Sequence, residues 1–263
     1  QPWIETWQLT EIYAGIEGQG ANDAAYATAV EIEYCRMHGI DYTGGAADIF
    51  KCFDKVRREL VYKLMKEAGI PKGVLQAYQC FQEALQVRNT IAGGLGLAYS
   101  KPASIPQGDP MSMMITSLLL RPWVMQMRGC GIKPRILADD LQLLGTGGNH
   151  LSIFEYGFNK THQHLTDMGA KLAPSKSIIF SSNEAARIWL RQHKWRRIGR
   201  TILVITDGRD LGPHMNAAAN RFYGTTLTKR MDATAKDIEK LNCVRVTSPT
   251  PLFNTVFDSL QVE

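Results

Sequence analysis

The sequence has no Cys-x-x-Cys pair and no even set of cysteines; the five it carries, Cys35, Cys52, Cys80, Cys130 and Cys243, are widely separated. That pattern argues against a disulfide framework and against a structural zinc site, and it points to a reducing, intracellular compartment. Long apolar runs are also missing. Stretches such as Ile115 to Leu120 and Ile202 to Ile205 fall far short of the roughly 20 residues that a bilayer-spanning helix requires, so no membrane partner is expected. There is no internal repeat or low-complexity tract. Neither an initiator Met nor a basic-then-apolar leader stands at Gln1, so the chain is expected to be a segment of a larger polyprotein. What is present is 263 residues, 44% hydrophobic and 21% charged, enough for one large core or two modest ones.

A net charge of +5 is compatible with a polyanionic partner. The distribution of that charge is more informative than its sum. Arg187, Arg191, Lys194, Arg196, Arg197 and Arg200 lie in one stretch with Trp189 and Trp195 and no acidic residue. Such a stretch suits phosphates and base stacking, and it suits equally a solvated basic face over two core tryptophans.

Periodicity alternates between short strands and longer helices in an α+β manner. A helix is expected over Asn22 to Met37, with Ala24, Ala27, Val30, Ile32 and Tyr34 available to its buried side and Gly39 beyond its end. The small residues from Gly44 lead into an extended segment ending near Phe50. Asp54 then stands as an N-cap for a helix carrying Val56, Leu60, Val61, Leu64, Met65 and Ala68, stopped by Gly69-Ile70-Pro71. Val87 to Ile91 runs into Gly93-Gly94 as a hairpin. A helix over Met111 to Met127 follows, with a kink or early end expected at Pro122. Arg135 to Leu144 reads as a β-hairpin with Asp139 and Asp140 at its tip. Leu151 to Leu165 is helical and closed by Gly169, Lys171 to Phe180 and Ile202 to Ile205 are strands, and Asn216 to Leu241 is helical again.

Two adjacent carboxylates in an apolar β-run are costly, because burial and mutual repulsion both disfavour their charge. Alone, an Asp-Asp pair also fits a surface turn. The flanks Ile136-Leu137 and Leu141 to Leu144 are wrong for a solvated turn. Neighbours on a strand point to opposite faces, so the two acids share one ion only where a tight turn relaxes the alternation. Asp48, at the end of a separate strand, is the natural third oxygen ligand. Hard carboxylates without nearby His or Cys favour Mg²⁺ or Mn²⁺, and two such ions suit phosphoryl transfer. His162 and His164, two apart on a helix, diverge and receive no role.

The motifs together resemble reverse transcriptases of the non-LTR retrotransposon type. Asp48-Ile49-Phe50-Lys51-Cys52-Phe53-Asp54 is similar to motif A, Ser104 to Ser112 with Pro106-Gln107-Gly108-Asp109-Pro110 to motif B, and Leu137-Ala138-Asp139-Asp140 to motif C. Gly169 to Ser177 resembles motif D, and Asp210-Leu211-Gly212 resembles motif E. Tyr13-Ala14-Gly15-Ile16 with Gly18 to Asp23 resembles the last part of the fingers. The likeness covers roughly residues 11–216.

The resemblance implies a polymerase right-hand palm, an antiparallel sheet backed by helices, with partial fingers and the start of a thumb. Residues 1–43 would be partial fingers, 44–215 the palm with a fingers-side insertion around 72–103, and 216–263 the start of a thumb or connecting helices. It implies an RNA-directed DNA polymerase, a nucleotidyltransferase adding dNTPs to a DNA primer on an RNA template with two Mg²⁺ ions, and it admits the nucleus as the intracellular compartment. Asp48 and Asp139 would be the main metal ligands, with Asp140 beside them and the Ile49 carbonyl adding a backbone ligand. Phe53 would lie under the incoming sugar and exclude a 2′-hydroxyl; a core Phe is the plainer use of such a residue. Gln107 would contact nucleotide or template, Gly108 would let the backbone approach closely, and Lys176 would neutralise or protonate the leaving pyrophosphate, where a solvated lysine is the plainer reading. Leu137 departs from the aromatic residue frequent in the family and Met111 from a frequent proline. The family's triphosphate-clasping basic residues lie upstream of the segment that Gln1 to Asp23 resembles. Competing readings are a silent or domesticated palm that binds nucleic acid and an RNA-templated RNA polymerase.

Overall fold

The computed structural model describes residues 2–101, 103–106, 108–209, 214–216 and 225–243. Its first half comprises α1 (Pro2–Glu5), α2 (Ala21–Met37), β1 (Tyr42–Asp48), α3 (Cys52–Lys55), α4 (Arg58–Glu67), α5 (Lys72–Ala84), β2 (Thr90–Ile91) and β3 (Gly94–Leu95). The second comprises α6 (Ser112–Gly129), β4 (Lys133–Leu137), β5 (Asp140–Thr146), α7 (His150–Asp167), β6 (Ile178–Ser181), α8 (Glu184–Gln192), β7 (Leu203–Val204), β8 (Asp207–Arg209), β9 (His214–Asn216) and α9 (Thr225–Cys243). The α+β reading holds.

Five strands form one sheet in the order β4-β5-β1-β6-β7, antiparallel except for the parallel pair β6 and β7. The central strand, β1, is built largely of small residues, although glycine weakens a strand. Packing explains the choice: a Cβ on Gly44 would come within 2.5 Å of Phe180 Cζ, and one on Gly45 within 2.7 Å of the Ile178 carbonyl. The sheet is therefore covered on both sides. Thr43, Gly45 and Ala47 share a face with Leu141, Leu143 and Ile179, and this face meets α6 and α7 in the main core. Tyr42 and Gly44 share the other face with Leu144 and Phe180, which pack on Ile32 and Cys35 of α2. The α2 cover reaches Gln142, which accepts a 2.7 Å bond from Thr28, and leaves Ala46, Asp48, Asp140 and Ile178 half-exposed.

Several expectations need correction. On α2 the buried residues are Ala24, Thr28, Ile32 and Cys35, while Val30 and Tyr34 are exposed; the buried stripe uses a threonine and a cysteine that hydrophobic periodicity passes over. Asp54 lies inside the short α3 rather than capping α4, because Val56 is extended and breaks the two apart. The β1 strand ends at Asp48, two residues early, where the chain turns through a left-handed Lys51 (φ 49°). α6 runs through Pro122. The missing amide costs about 3 kcal/mol, and burying Trp123 and Val124, both fully inaccessible, offsets it at about 1.5–3 kcal/mol each. α5 and α8 were not foreseen. α5 buries Leu75, Tyr78 and Gln82, a stripe only one-third aliphatic. α8 is capped by Asn183, whose side chain accepts from the Ala186 amide at 3.1 Å. The strand in Lys171 to Phe180 is confined to its last residues, and Asn216 belongs to β9, with the helix starting at Thr225.

Residues 11–13 add to the outer edge of β4 through Ile12 and Ile136. Cys35, Cys52, Cys80 and Cys130 are free thiols. Among the described residues no helix is long and apolar enough to cross a membrane.

Candidate active site

β1 ends with Asp48 directly across from Asp140, the first residue of β5. β4 and β5 form a hairpin closed by Leu137 and Asp140, which leaves Ala138 and Asp139 as its two-residue turn. Such a turn demands a positive φ, and Ala138 supplies one at 55° despite its Cβ. Asp139 thus stands at the tip. Burial pushes its carboxyl above the usual range, the negative charge of Asp48 pushes the same way, and Lys176 pulls it down.

Lys176 reaches this point because residues 171–177 are tied to the end of β1. The Phe50 amide donates to the Lys171 carbonyl and the Ala173 amide to the Asp48 carbonyl, each at 2.8 Å. The Asp48 amide donates to Ser177 Oγ at 3.3 Å, and Ser177 Oγ donates to the Ala173 carbonyl at 2.9 Å. The turn so held places Lys176 Nζ 3.7 Å from Asp48 Oδ2. Lys176 is 72% exposed, so the pair matters for local charge and little for stability. The ladder around Ile49 uses the Phe50 amide and the Asp48 carbonyl, not the Ile49 carbonyl.

Cys52 is buried beneath the acids. Burial, and then the charges of Asp139 and Asp48, push its thiol up to about 12, so it stays neutral and offers no thiolate. The donors exposed to a cation are therefore carboxylate oxygens, which fit a hard divalent ion, and such an ion would relieve the repulsion between Asp48 and Asp139. Among the described residues no three His, Cys, Asp or Glu side chains converge as a ready metal-binding group.

Phe53 is half-buried against the core, and its carbonyl accepts from the Ile105 amide at 2.9 Å. The Ser104 amide bonds the Val56 carbonyl at 3.0 Å, so the segment before Pro106 runs alongside α3. Gly108 has φ 89°, with nothing within 4 Å of a Cβ built on it; conformation rather than crowding requires glycine there. Gln107 and the Asp210-Leu211-Gly212 motif lie outside the described residues, between β8 and β9 in the latter case. The structure thus brings Asp48, Asp139, Asp140, Ile49 and Lys176 together, with Cys52 and Ser177 as neighbours that pattern reading passed over. A buried Cys and a Ser close in sequence to the motif residues were the available signal.

The basic stretch lies elsewhere. Trp195 is buried, its ring 4.4 Å from that of Phe158 and 6.2 Å from that of Phe154 on α7. Because α7 backs the sheet face opposite Asp48 and Asp140, the loop anchored by Trp195 sits away from the acids. Arg187 donates to the Ser181 and Ser182 carbonyls at 2.8 Å each, while Arg191, Lys194, Arg196, Arg197 and Arg200 are at least partly exposed. Trp189 is partly exposed and stacks on His193 with centroids 4.1 Å apart.

No protein-family model matches the sequence, and no curated protein matches it. Solved structures do. A telomerase from Candida tropicalis in complex with the TWJ fragment of telomeric RNA superposes on 63% of this chain and 30% of its own, with a TM-score of 0.50 at 9% identity. The fold is reverse-transcriptase-like. An apo telomerase from Candida tropicalis, truncated from its C-terminal domain, matches 63% of this chain and 36% of its own at 12% identity, with a TM-score of 0.49. The chain spans about a third of the length of either structure. At such identities the likeness concerns the reverse-transcriptase-like fold alone.

Proposed function

We propose that this chain is the palm-centred core of an RNA-directed DNA polymerase of a non-LTR retroelement, extending a DNA primer on an RNA template with dNTPs. The observation that carries this reading is the arrangement at the end of β1: Asp48 opposite Asp140, Asp139 close enough to Asp48 for their charges to interact, and Lys176 Nζ 3.7 Å from Asp48. Its support also includes a fold shared with a telomerase whose structure contains RNA.

Asp48 and Asp139, with Asp140 beside them and the Ile49 carbonyl adjoining, would hold Mg²⁺ or Mn²⁺, whose chemistry there is to acidify a primer 3′-hydroxyl and offset triphosphate charge. Lys176 brings a positive charge and a proton to the leaving pyrophosphate. Phe53 presents a ring where a 2′-hydroxyl would clash. Gly108 keeps the backbone open to close approach, and Gln107 supplies an amide to nucleotide or template. Arg191, Lys194, Arg196, Arg197 and Arg200 bind nucleic-acid phosphates on the α7 side. Residues 1–43 serve as partial fingers, 44–215 as palm and 216–263, described only at 216 and 225–243, as the start of a thumb or connecting helices, within a larger polyprotein.

Extension of a primed RNA template with dNTPs, compared with rNTPs, tests the reading. Preferential use of rNTPs replaces it with an RNA polymerase. Asp139→Asn is expected to abolish extension while template binding persists, since it removes charge from the metal site and no phosphate contact. A palm that binds without catalysis is the second reading, favoured by exposed cations that lie away from the acids, Arg191, Lys194, Arg196, Arg197 and Arg200. Absence of extension with either divalent ion in the full-length parent would establish it.

A further inference from the structure

The segment from Ser104 to Asp109 is held at both ends by one buried polar network from α4 and α5. Arg58, 6% exposed although charged, donates from Nε to the Ser104 carbonyl at 3.0 Å and from Nη1 to the Gln82 carbonyl at 2.8 Å. At the other end, Asp109 is buried, at 8% exposure. Its Oδ2 accepts from Tyr78 Oη and from Gln82 Nε2, both at 2.8 Å, and its Oδ1 accepts from the Met111 amide at 2.8 Å. Gln82 Nε2 also donates to Tyr78 Oη at 2.8 Å, which closes a three-membered ring of side chains. Gln82 is thus the common member: its backbone holds Arg58 and its side chain holds Asp109.

Burying an arginine and an aspartate is expensive, and a fold that needed only packing would fill these positions with apolar residues. What the network does is local. Ser104 sits at φ 115°, a backbone conformation that a residue with a Cβ rarely adopts, and it persists because its amide, its carbonyl and the following amide are all bonded. The Ile105 amide bonds the Phe53 carbonyl, so the same frame sets the distance between this segment and the Phe53 ring.

We infer that Arg58, Tyr78, Gln82 and Asp109 are positioning residues for nucleotide binding, a buried clamp that holds the Ser104–Asp109 segment against Phe53. This rests on the polymerase reading, in which Phe53 meets the sugar and the segment meets the nucleotide. The clamp acts on ground-state nucleotide fit, so it governs KM for dNTP and not the chemical step.

Asp109→Asn replaces one of the two acceptor oxygens with an amino group, so either the Gln82 and Tyr78 donors or the Met111 amide lose their acceptor. It is expected to raise KM for dNTP about tenfold, the loss of one hydrogen bond to a charged group. The rate at saturation and the affinity for primed template should stay near wild type. Adding Gln82→Glu in the same chain restores a donor-to-acceptor pair, now with the amide on the segment and the carboxylate on α5, and KM is expected to return toward wild type. A folded Asp109→Asn protein with unchanged KM overturns the clamp, as does a loss confined to the active fraction. Tyr78→Phe, which keeps the ring, gives the same comparison should Asp109→Asn fail to fold. Hydrogen exchange separates this inference from the function on which it rests. In Asp109→Asn the Ser104, Ile105 and position-109 amides are expected to exchange faster while those of β1 and β5 do not, whether or not the wild-type protein extends a primer. Unchanged exchange at those three amides overturns the clamp; inactivity of the wild-type full-length parent, with exchange at those amides altered as expected, overturns the polymerase reading.

Discussion

Asp48 and Asp140 face each other across the last rung of the β1–β5 ladder, so two like charges occupy a cross-strand pair, with Asp139 one residue further into the turn. Like charges directly opposite destabilise an antiparallel pair. The sheet tolerates them because the α2 cover stops short and leaves this end half-exposed. The site is thus a place where the fold carries a cost that the proposed cation would offset.

Asp139 adds a second repulsion with Asp48, measurable in the metal-free protein. Asp139→Asn removes one of two interacting charges from a partly buried position, and it is expected to raise stability without divalent ions by about 1–2 kcal/mol. Added Mg²⁺ should raise the melting temperature of the wild type and do so less in the variant, because ligand binding to the native state stabilises by mass action. A metal-free Asp139→Asn protein less stable than wild type contradicts the repulsion.

The glycines of β1 give a second expectation. A Cβ at Gly45 would press on the Ile178 carbonyl at 2.7 Å and on Phe154 Cζ at 3.1 Å, backbone on one side and a core ring on the other. Gly45→Ala is expected to cost about 1–3 kcal/mol in urea unfolding. The strain falls on β6 just after Ser177, so the Lys176 turn should shift and extension should fall together with stability.

The β4–β5 hairpin with Asp139 at its tip is legible because apolar flanks and turn residues leave period-2 signals, whereas the sheet order and the place of Asp140 inside β5 are not. Nor is much else. α5 packs through Tyr78 and Gln82, and its buried stripe therefore looked polar. Asp109 was visible only as a member of a motif, since nothing local tells that its partners sit 27 and 31 residues earlier. The basic stretch mixed two kinds of tryptophan that spacing does not separate. Trp195 is a core residue against α7, whereas Trp189 lies partly open on His193. Trp195→Ala should therefore cost about 3–5 kcal/mol, and Trp189→Ala far less.

Acid should weaken the fold through three histidines. Burial pushes His150, His162 and His164 below their ordinary 6.5; Arg197 adds to this for His162, while Asp41 opposes it for His150 and Asp167 for His164. His150 Nδ1 lies 2.7 Å from Thr43 Oγ1, whose own hydroxyl donates to Ser181, so the imidazole serves as a neutral donor. A histidine with a depressed native pKa binds fewer protons folded than unfolded. Stability is then complete above the unfolded value and is lost as the pH falls from about 6.5 toward the native values. Melting temperature is expected to drop between about pH 7 and pH 5, and His162→Gln with His164→Gln should flatten that part of the profile. A profile unaltered by the double substitution removes these two groups as its cause.

The exposed cations on the α7 side make the last expectation. If they neutralise phosphates, each contact releases counterions and steepens the dependence of affinity on salt by about 0.9 in log–log slope on duplex. Arg191, Arg196 and Arg197 are open to solvent, whereas Arg187 spends its guanidinium on the Ser181 and Ser182 carbonyls. Replacing the first three with Gln is expected to lower the slope by about two to three and to weaken binding without changing the fold. Arg187→Gln should instead lower stability and leave the slope alone. Because this surface backs onto α7 and not onto the acids, the triple variant should retain its rate at saturating primed template. An unchanged slope would make the patch a solvated face of the helical layer, and a lost saturating rate would place it in the path of the template.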